Sequence, residues 1–184
     1  VKMRFKGDWT DHLLGDKWSF RIKVRDGNAI KGLKTFSIQN PNTRGFLNEW
    51  FMHRIFENLG LLNTRYDFIP VTLNGNNLGM FAMEEHFDKQ LVESRSRREG
   101  PILKIDEEGF WERNLITETE HYCYNVPYYE AAAVLPFKRK RTLKNVNLKN
   151  QFLIAKDLVY QYKTFETPVE QIFDLDALAS YHAL

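Results

Sequence analysis

In residues 1–6 the apolar Val1, Met3 and Phe5 alternate with Lys2, Arg4 and Lys6, the period-two pattern of a strand with one apolar and one polar face. The polar face is wholly cationic. Gly7 and Asp8 interrupt the run. Residues 17–25 then repeat it, with Trp18, Phe20, Ile22 and Val24 on one side and Lys17, Arg21, Lys23 and Arg25 on the other. Asp26, Gly27 and Asn28 signal a turn, and a third short strand is predicted over residues 33–39, closed by Asn40, Pro41 and Asn42. The period then changes. Leu47, Phe51, Ile55 and Leu59 recur every four positions, joined by Trp50, Met52 and Phe56. This predicts an amphipathic helix over residues 46–59, with Gly60 at its C′ position and Glu49, His53 and Glu57 on the face opposite the apolar stripe.

Two apolar stretches, residues 66–73 and 78–83, bracket Asn74, Gly75, Asn76 and Asn77, which predicts a hairpin that Glu84 and Glu85 bring to an end. A short helix over residues 86–94, a charged loop over 95–100 and a strand over 102–105 follow. Beyond them the pattern turns helical, in residues 111–118, parts of 128–135, 146–165 and 168–173, with Thr167 as a cap and Pro168 at N1. The predicted class is α+β: an antiparallel sheet with one packed helix over residues 1–106, then a mainly helical continuation over 107–184. The strand pattern at the start, and a helical pattern that runs to Leu184 without a cap, read as a piece of a longer protein, with the start of a second lobe truncated at its end.

Composition narrows the classes of function. Of 184 residues, 43% are hydrophobic and 27% charged, and 26 basic residues nearly balance 24 acidic ones. A net charge of +2 creates no whole-protein field calling for nucleic acid or an anionic membrane. The longest apolar run, residues 131–137, is far too short to span a bilayer. One cysteine, Cys123, makes neither an internal disulfide nor a thiolate metal site. His12, His53, His86, His121 and His182 are scattered without the i, i+4 spacing of a zinc helix. The basic run Lys138, Arg139, Lys140 and Arg141 lacks an accompanying RNA-binding aromatic signature and reads as a solvated face. Tyr122, Tyr124, Tyr128 and Tyr129 read as packing residues.

Several segments resemble the N-terminal part of the spore coat protein H (CotH) kinase-like family. Arg4, Phe5, Lys6 and Gly7 resemble its Arg-x-(Lys/Arg)-Gly segment, and residues 17–24 its Lys-x-x-(Tyr/Phe)-x-(Ile/Leu)-Lys strand. Residues 33–38 are similar to its Gly-x-Lys-x-(aromatic)-x-Leu strand. Leu73, Asn74 and Gly75 through Gly79, Met80 and Phe81, with Glu85 after them, resemble its Asn-Gly-x-x-x-Gly-(Val/Ile)-Tyr hairpin. Lys104 and Asp106 resemble a later Lys-x-Asp strand. The matches cover residues 1–106.

What the resemblance implies is the nucleotide-binding lobe of an atypical protein kinase, which transfers a phosphoryl group from ATP, with Mg2+, to Ser or Thr of a protein substrate. Phosphoryl transfer works by positioning and charge neutralisation, so such a lobe supplies a backbone-rich loop and cations against the phosphates. Arg4, Lys6, Gly7, Arg21, Lys23 and Lys34 are the candidate cofactor-binding residues. Lys23 or Lys34 would pair with Glu49 or Glu85, and the sequence does not choose between them. The catalytic and metal-binding aspartates of the family are not found in this stretch. The metal site is expected beyond Leu184, and the stretch alone is expected to be inactive. Asp174, which with Asp176 could be taken for a metal-binding pair, precedes a helical pattern that begins at Leu175 and reads as an N-cap or first-turn residue. The resemblance suggests a bacterial spore coat, cell envelope or secreted location. The competing reading is a structural or adhesive surface protein that keeps the fold without catalysis, in which the basic strands only guard a sheet edge.

Overall fold

The computed structural model describes residues 1–6, 13, 15–107 and 132–184. They form two units, one of residues 1–95 with 180–184 and one of residues 96–179. Gly7, Cys123, the tyrosine cluster at 122–129 and the helix predicted over 111–118 lie outside the described residues.

The first unit is α+β. Its strands are β1 (Lys2–Phe5), β2 (Phe20–Lys23), β3 (Thr35–Gln39), β4 (Tyr66–Leu73) and β5 (Asn76–Glu85), all antiparallel in the order β1-β2-β3-β5-β4. Helix α1 (Leu47–Asn58) sits between β3 and β4 in the chain, and the short α2 (Lys89–Ser94) follows β5.

Register sorts the side chains onto two faces. Phe5, Phe20, Ile38 and Met83 lie in one row across four strands, and Met3, Ile22, Phe36 and Glu85 in another. These rows form the apolar face. Phe20, Phe36, Ile38, Phe81 and Met83 are buried there with Leu33, and Ile22, Val24, Ile69, Val71 and Leu78 pack around them. Each fully buried side chain of this kind contributes about 1.5–3 kcal/mol. Met3 and Phe5 stay 47% and 57% exposed, because β1 is the edge strand.

The row between them reads Arg4, Arg21, Ser37, Glu84 and Tyr66. This is the polar face, and α1 packs on it. The helix therefore presents a different side from the one its periodicity predicts. His53 stacks on Tyr66 with ring centres 5.3 Å apart and planes at 15°, while Leu47 and Phe51 remain 62% and 58% exposed. A polar sheet face selects the polar side of the helix. Gly60 takes the left-handed conformation at φ 69° expected of a C′ residue.

The β4–β5 hairpin turns through Asn74 and Gly75, both left-handed at φ 51° and 83°, the requirement of a type I′ turn. Strand β5 does not stop at Met83 but runs through Glu84 and Glu85. Their side chains emerge on opposite faces, and each meets a cation there, so the charges do not end the strand.

In the second unit β6 (Leu103–Ile105) pairs with β7 (Val134–Pro136) in a separate two-stranded sheet. Residues 134–135, predicted within a helical stretch, are thus in a strand, since pairing with β6 satisfies the backbone of a short apolar run that periodicity alone leaves ambiguous. Helices α3 (Arg139–Lys144) and α4 (Val146–Lys163) follow, then a 3-10 turn at Val169–Gln171 and α5 (Leu175–His182). Pro168 stands before the 3-10 turn as its N-cap, at ψ 140°, not inside it. Asp174 caps α5 as predicted, its Oδ1 accepting from the Ala177 amide at 3.1 Å. No helix among the described residues is long and apolar enough to cross a membrane.

Candidate functional site

The polar face of the five-stranded sheet carries Arg4, Lys6, Arg21 and Glu84 side by side. Lys6 follows β1 directly, and its amide donates to Ser19 O at 2.9 Å. Its ammonium donates to Glu84 Oε2 at 2.7 Å and to Gln39 Oε1 at 2.9 Å, with the Lys6 and Glu84 side chains each 15% exposed. Next to it, Arg21 Nε donates to Ser37 Oγ at 2.9 Å, and Nη1 reaches His86 Nδ1 at 2.6 Å, which makes Nδ1 the unprotonated nitrogen in that contact. Burial pushes the Arg21 guanidinium below its ordinary value, Glu84 resists, and the charge of Arg4 adds to the depression.

Helix α1 brings Glu49 to the same face. Burial alone would raise its carboxyl, but the neighbouring His53 imidazole and the charges of Arg44 and Lys6 outweigh it and hold Glu49 below its ordinary value. Arg44 Nε lies 3.4 Å and His53 Nε2 3.8 Å from the carboxylate. Tyr66 is buried under the helix, and that burial, reinforced by the negative charge of Glu49, pushes its hydroxyl up to about 12. Among the described residues, Gln39 Nε2, Tyr66 Oη and His53 Nδ1 are buried without a hydrogen-bond partner. The helix–sheet layer thus retains polar capacity beside the Lys6–Glu84 pair.

Of the residues singled out from sequence, Arg4, Lys6, Arg21 and Glu49 share this face. Lys23 is one alternation beyond Arg21 on the same side and is exposed at the strand end. Lys34 is exposed before β3, with its backbone amide bonded to Gln90 Oε1 at 3.2 Å. Glu85 is on the opposite face, where Arg65 grips it with Nε at 2.9 Å and Nη2 at 2.8 Å, and the Arg65 amide adds a third bond at 3.2 Å. Neither expected lysine–glutamate pairing is formed. Glu85 goes to Arg65, Glu49 to Arg44 and His53, and the lysine–glutamate pair of the polar face is Lys6 with Glu84. Adjacent strand residues point to opposite faces, so choosing between Glu84 and Glu85 needed the register with β3.

Gln39, Tyr66 and His86 were not singled out as site residues. The alternation Thr35, Ser37, Gln39 opposite Phe36 and Ile38 was the signal for Gln39. Tyr66 and His86 carried none, since their places depend on pairing between distant strands.

Cations dominate this face, and they suit the phosphates of a nucleotide. A metal ion is a different matter. Both carboxylates here, Glu49 and Glu84, are engaged by cations, and no group of three His, Cys, Asp or Glu side chains converges among the described residues. These residues do not fit Mg2+.

No curated protein matches the chain. The family model described as CotH kinase protein matches residues 3–184, from the first strand through the last helix, so the chain belongs to the CotH kinase family and is a kinase-like protein.

Proposed function

We propose that the polar face of the five-stranded sheet is the phosphate-binding face of a nucleotide lobe, serving ATP-dependent phosphoryl transfer to Ser or Thr side chains of a protein substrate. The observation that carries this reading is the Lys6 ammonium, fixed by Glu84 and Gln39 on the face that also presents Arg4 and Arg21 and is overlaid by α1. A cation held by a carboxylate from below is oriented before the ligand arrives, so little freedom is lost on binding. Glu49 contributes at longer range, through its attraction to Lys6. Lys23, exposed at the rim, would meet an approaching polyphosphate first. ATP, when bound, supplies the transferable phosphoryl group. The face binds and orients, and it offers no free carboxylate to act as base, since Glu49 and Glu84 are both taken.

One observation favours the second reading, a surface protein that has kept the fold without nucleotide binding. Lys6 and Arg21 are already satisfied by Glu84, Gln39, Ser37 and His86, and such a closed network is stable with no ligand. Melting of the protein with and without ATP and magnesium separates the two. A nucleotide at a hundredfold excess over its dissociation constant adds about 2.7 kcal/mol of stability, and an unchanged melting temperature supports the second reading.

A further inference from the structure

At the far end of α1 a cavity of about 230 Å3 opens between the last turns of the helix, the start of β4 and Arg95. Glu57 at its rim is eight residues from Glu49, about 12 Å along the helix axis; the cavity borders the candidate site through His53 and Tyr66, but Lys6, Arg21, Glu49 and Glu84 do not line it. Four cations line it, Lys31, Arg54, Arg65 and Arg95, against two carboxylates, Glu57 and Asp67. Adding Glu85, which binds Arg65 from behind, still leaves positive charge in excess.

The pairing is uneven. Lys31 and Asp67 satisfy each other at 2.8 Å. Glu57 is shared: Arg54 Nη1 reaches Oε2 at 2.7 Å and Arg95 Nη1 reaches Oε1 at 3.3 Å. One carboxylate therefore stands between two guanidinium groups. Both are pre-positioned by other contacts, Arg54 over the Trp50 ring at 5.4 Å and Arg95 by its bond to Asn63 Oδ1 at 3.2 Å. Arg65 is fixed by its fork on Glu85 and keeps part of its guanidinium exposed, its side chain being 36% accessible.

We propose that this cavity binds a phosphomonoester dianion, held by Arg54, Arg95 and Arg65. Fixed guanidinium groups with unspent N–H donors suit a tetrahedral oxyanion approached from several directions. Two of the three guanidinium groups share the single Glu57 carboxylate, so a dianion that displaces Glu57 from them meets two positive charges. Glu57 occupies the same donors and is its competitor, which fixes the sign of the test. The proposal does not depend on the nucleotide reading.

The experiment is a calorimetric titration of the protein, at low ionic strength, with inorganic phosphate and with O-phosphoserine. Saturable binding is expected. It should weaken about tenfold in Arg95→Gln, the loss of a charge-assisted hydrogen bond, and tighten in Glu57→Gln, which removes the competitor but keeps the shape. Stronger capture of phosphoserine assigns the site to a modified side chain, and equal capture assigns it to the free ion. Lack of saturable binding overturns the proposal. So does binding that Glu57→Gln leaves unchanged or weakens, or that is abolished only by Lys6→Met on the other network. Glu57→Gln keeps the test decisive if Arg95→Gln fails to fold.

Discussion

Lys6 Nζ and Glu84 Oε2 lie 2.7 Å apart across 78 residues of sequence, and both side chains are 15% exposed. Removing one partner leaves a desolvated charge behind, so Lys6→Met alone should cost about 3 kcal/mol. Lys6→Met with Glu84→Leu should recover most of that loss, because two apolar groups need no pairing. A double-mutant cycle by urea unfolding measures the coupling. A value within about 0.5 kcal/mol of zero would show that the two charges act independently.

Glu85 and Arg65 make the corresponding pair on the opposite face, and the hydrogen bond that Arg65 donates to Glu85, ahead of the opposing effect of burial, raises the Arg65 guanidinium above its ordinary value. Arg65→Met should destabilise the protein by about 3–5 kcal/mol. Arg65→Lys keeps the charge but loses the two-pronged geometry, and its loss should be smaller. Neither change should alter ATP affinity per folded molecule, since Arg65 does not face the nucleotide side. A large affinity loss in folded Arg65→Lys would place the nucleotide elsewhere.

Alkaline stability should report on Tyr66. Its folded value is raised from 10.0 to about 12, so its contribution is fully present below pH 10.0 and is lost as pH rises through about 12. Tyr66→Phe should abolish that part of the alkaline loss while costing little at neutral pH, because the hydroxyl makes no hydrogen bond of normal geometry among the described residues, though the neighbouring Gln39 amide eases its ionisation. Difference curves of unfolding midpoint against pH, wild type minus variant, check this; parallel curves would contradict it.

Glu49 has the opposite sign. Its folded value lies below the reference of 4.5, so its contribution is present above pH 4.5 and is lost as pH falls through the folded value. Glu49→Gln should flatten the acid limb of the same curve. An unchanged acid limb would remove Glu49 from the charge network.

Strand periodicity made much of the first unit legible. The alternations around Phe20 and Ile22, the Asn74–Gly75 turn and the Gly60 stop each depend on residues close in sequence, and each stands as expected. The face of α1 did not follow from its own pattern. The apolar stripe through Leu47 and Phe51 is exposed, because the sheet face it meets is polar, a property contributed by strands far away in the chain. Strand β7 was hidden for the same reason: three residues have no period of their own, and their partner is some thirty positions earlier. At the candidate site the cations Arg4, Lys6 and Arg21 were visible, since a one-sided basic strand shows in any alternation. The glutamates expected opposite Lys23 or Lys34 bond elsewhere, Glu49 to Arg44 and Glu85 to Arg65, and the carboxylate that meets Lys6 is Glu84. In a strand a one-residue step changes the face, and only pairing with β3 fixes which face each glutamate takes.

The most direct test of the nucleotide reading is the affinity for ATP with magnesium, measured by titration in wild type, Arg21→Gln, Lys6→Met and Glu85→Gln, each first shown to be folded. The account predicts saturable binding that weakens at least about tenfold in Arg21→Gln and Lys6→Met, as expected for a lost charge-assisted contact, with Glu85→Gln unaffected. Binding that survives both cation substitutions, or that is lost only with Glu85→Gln, would contradict it.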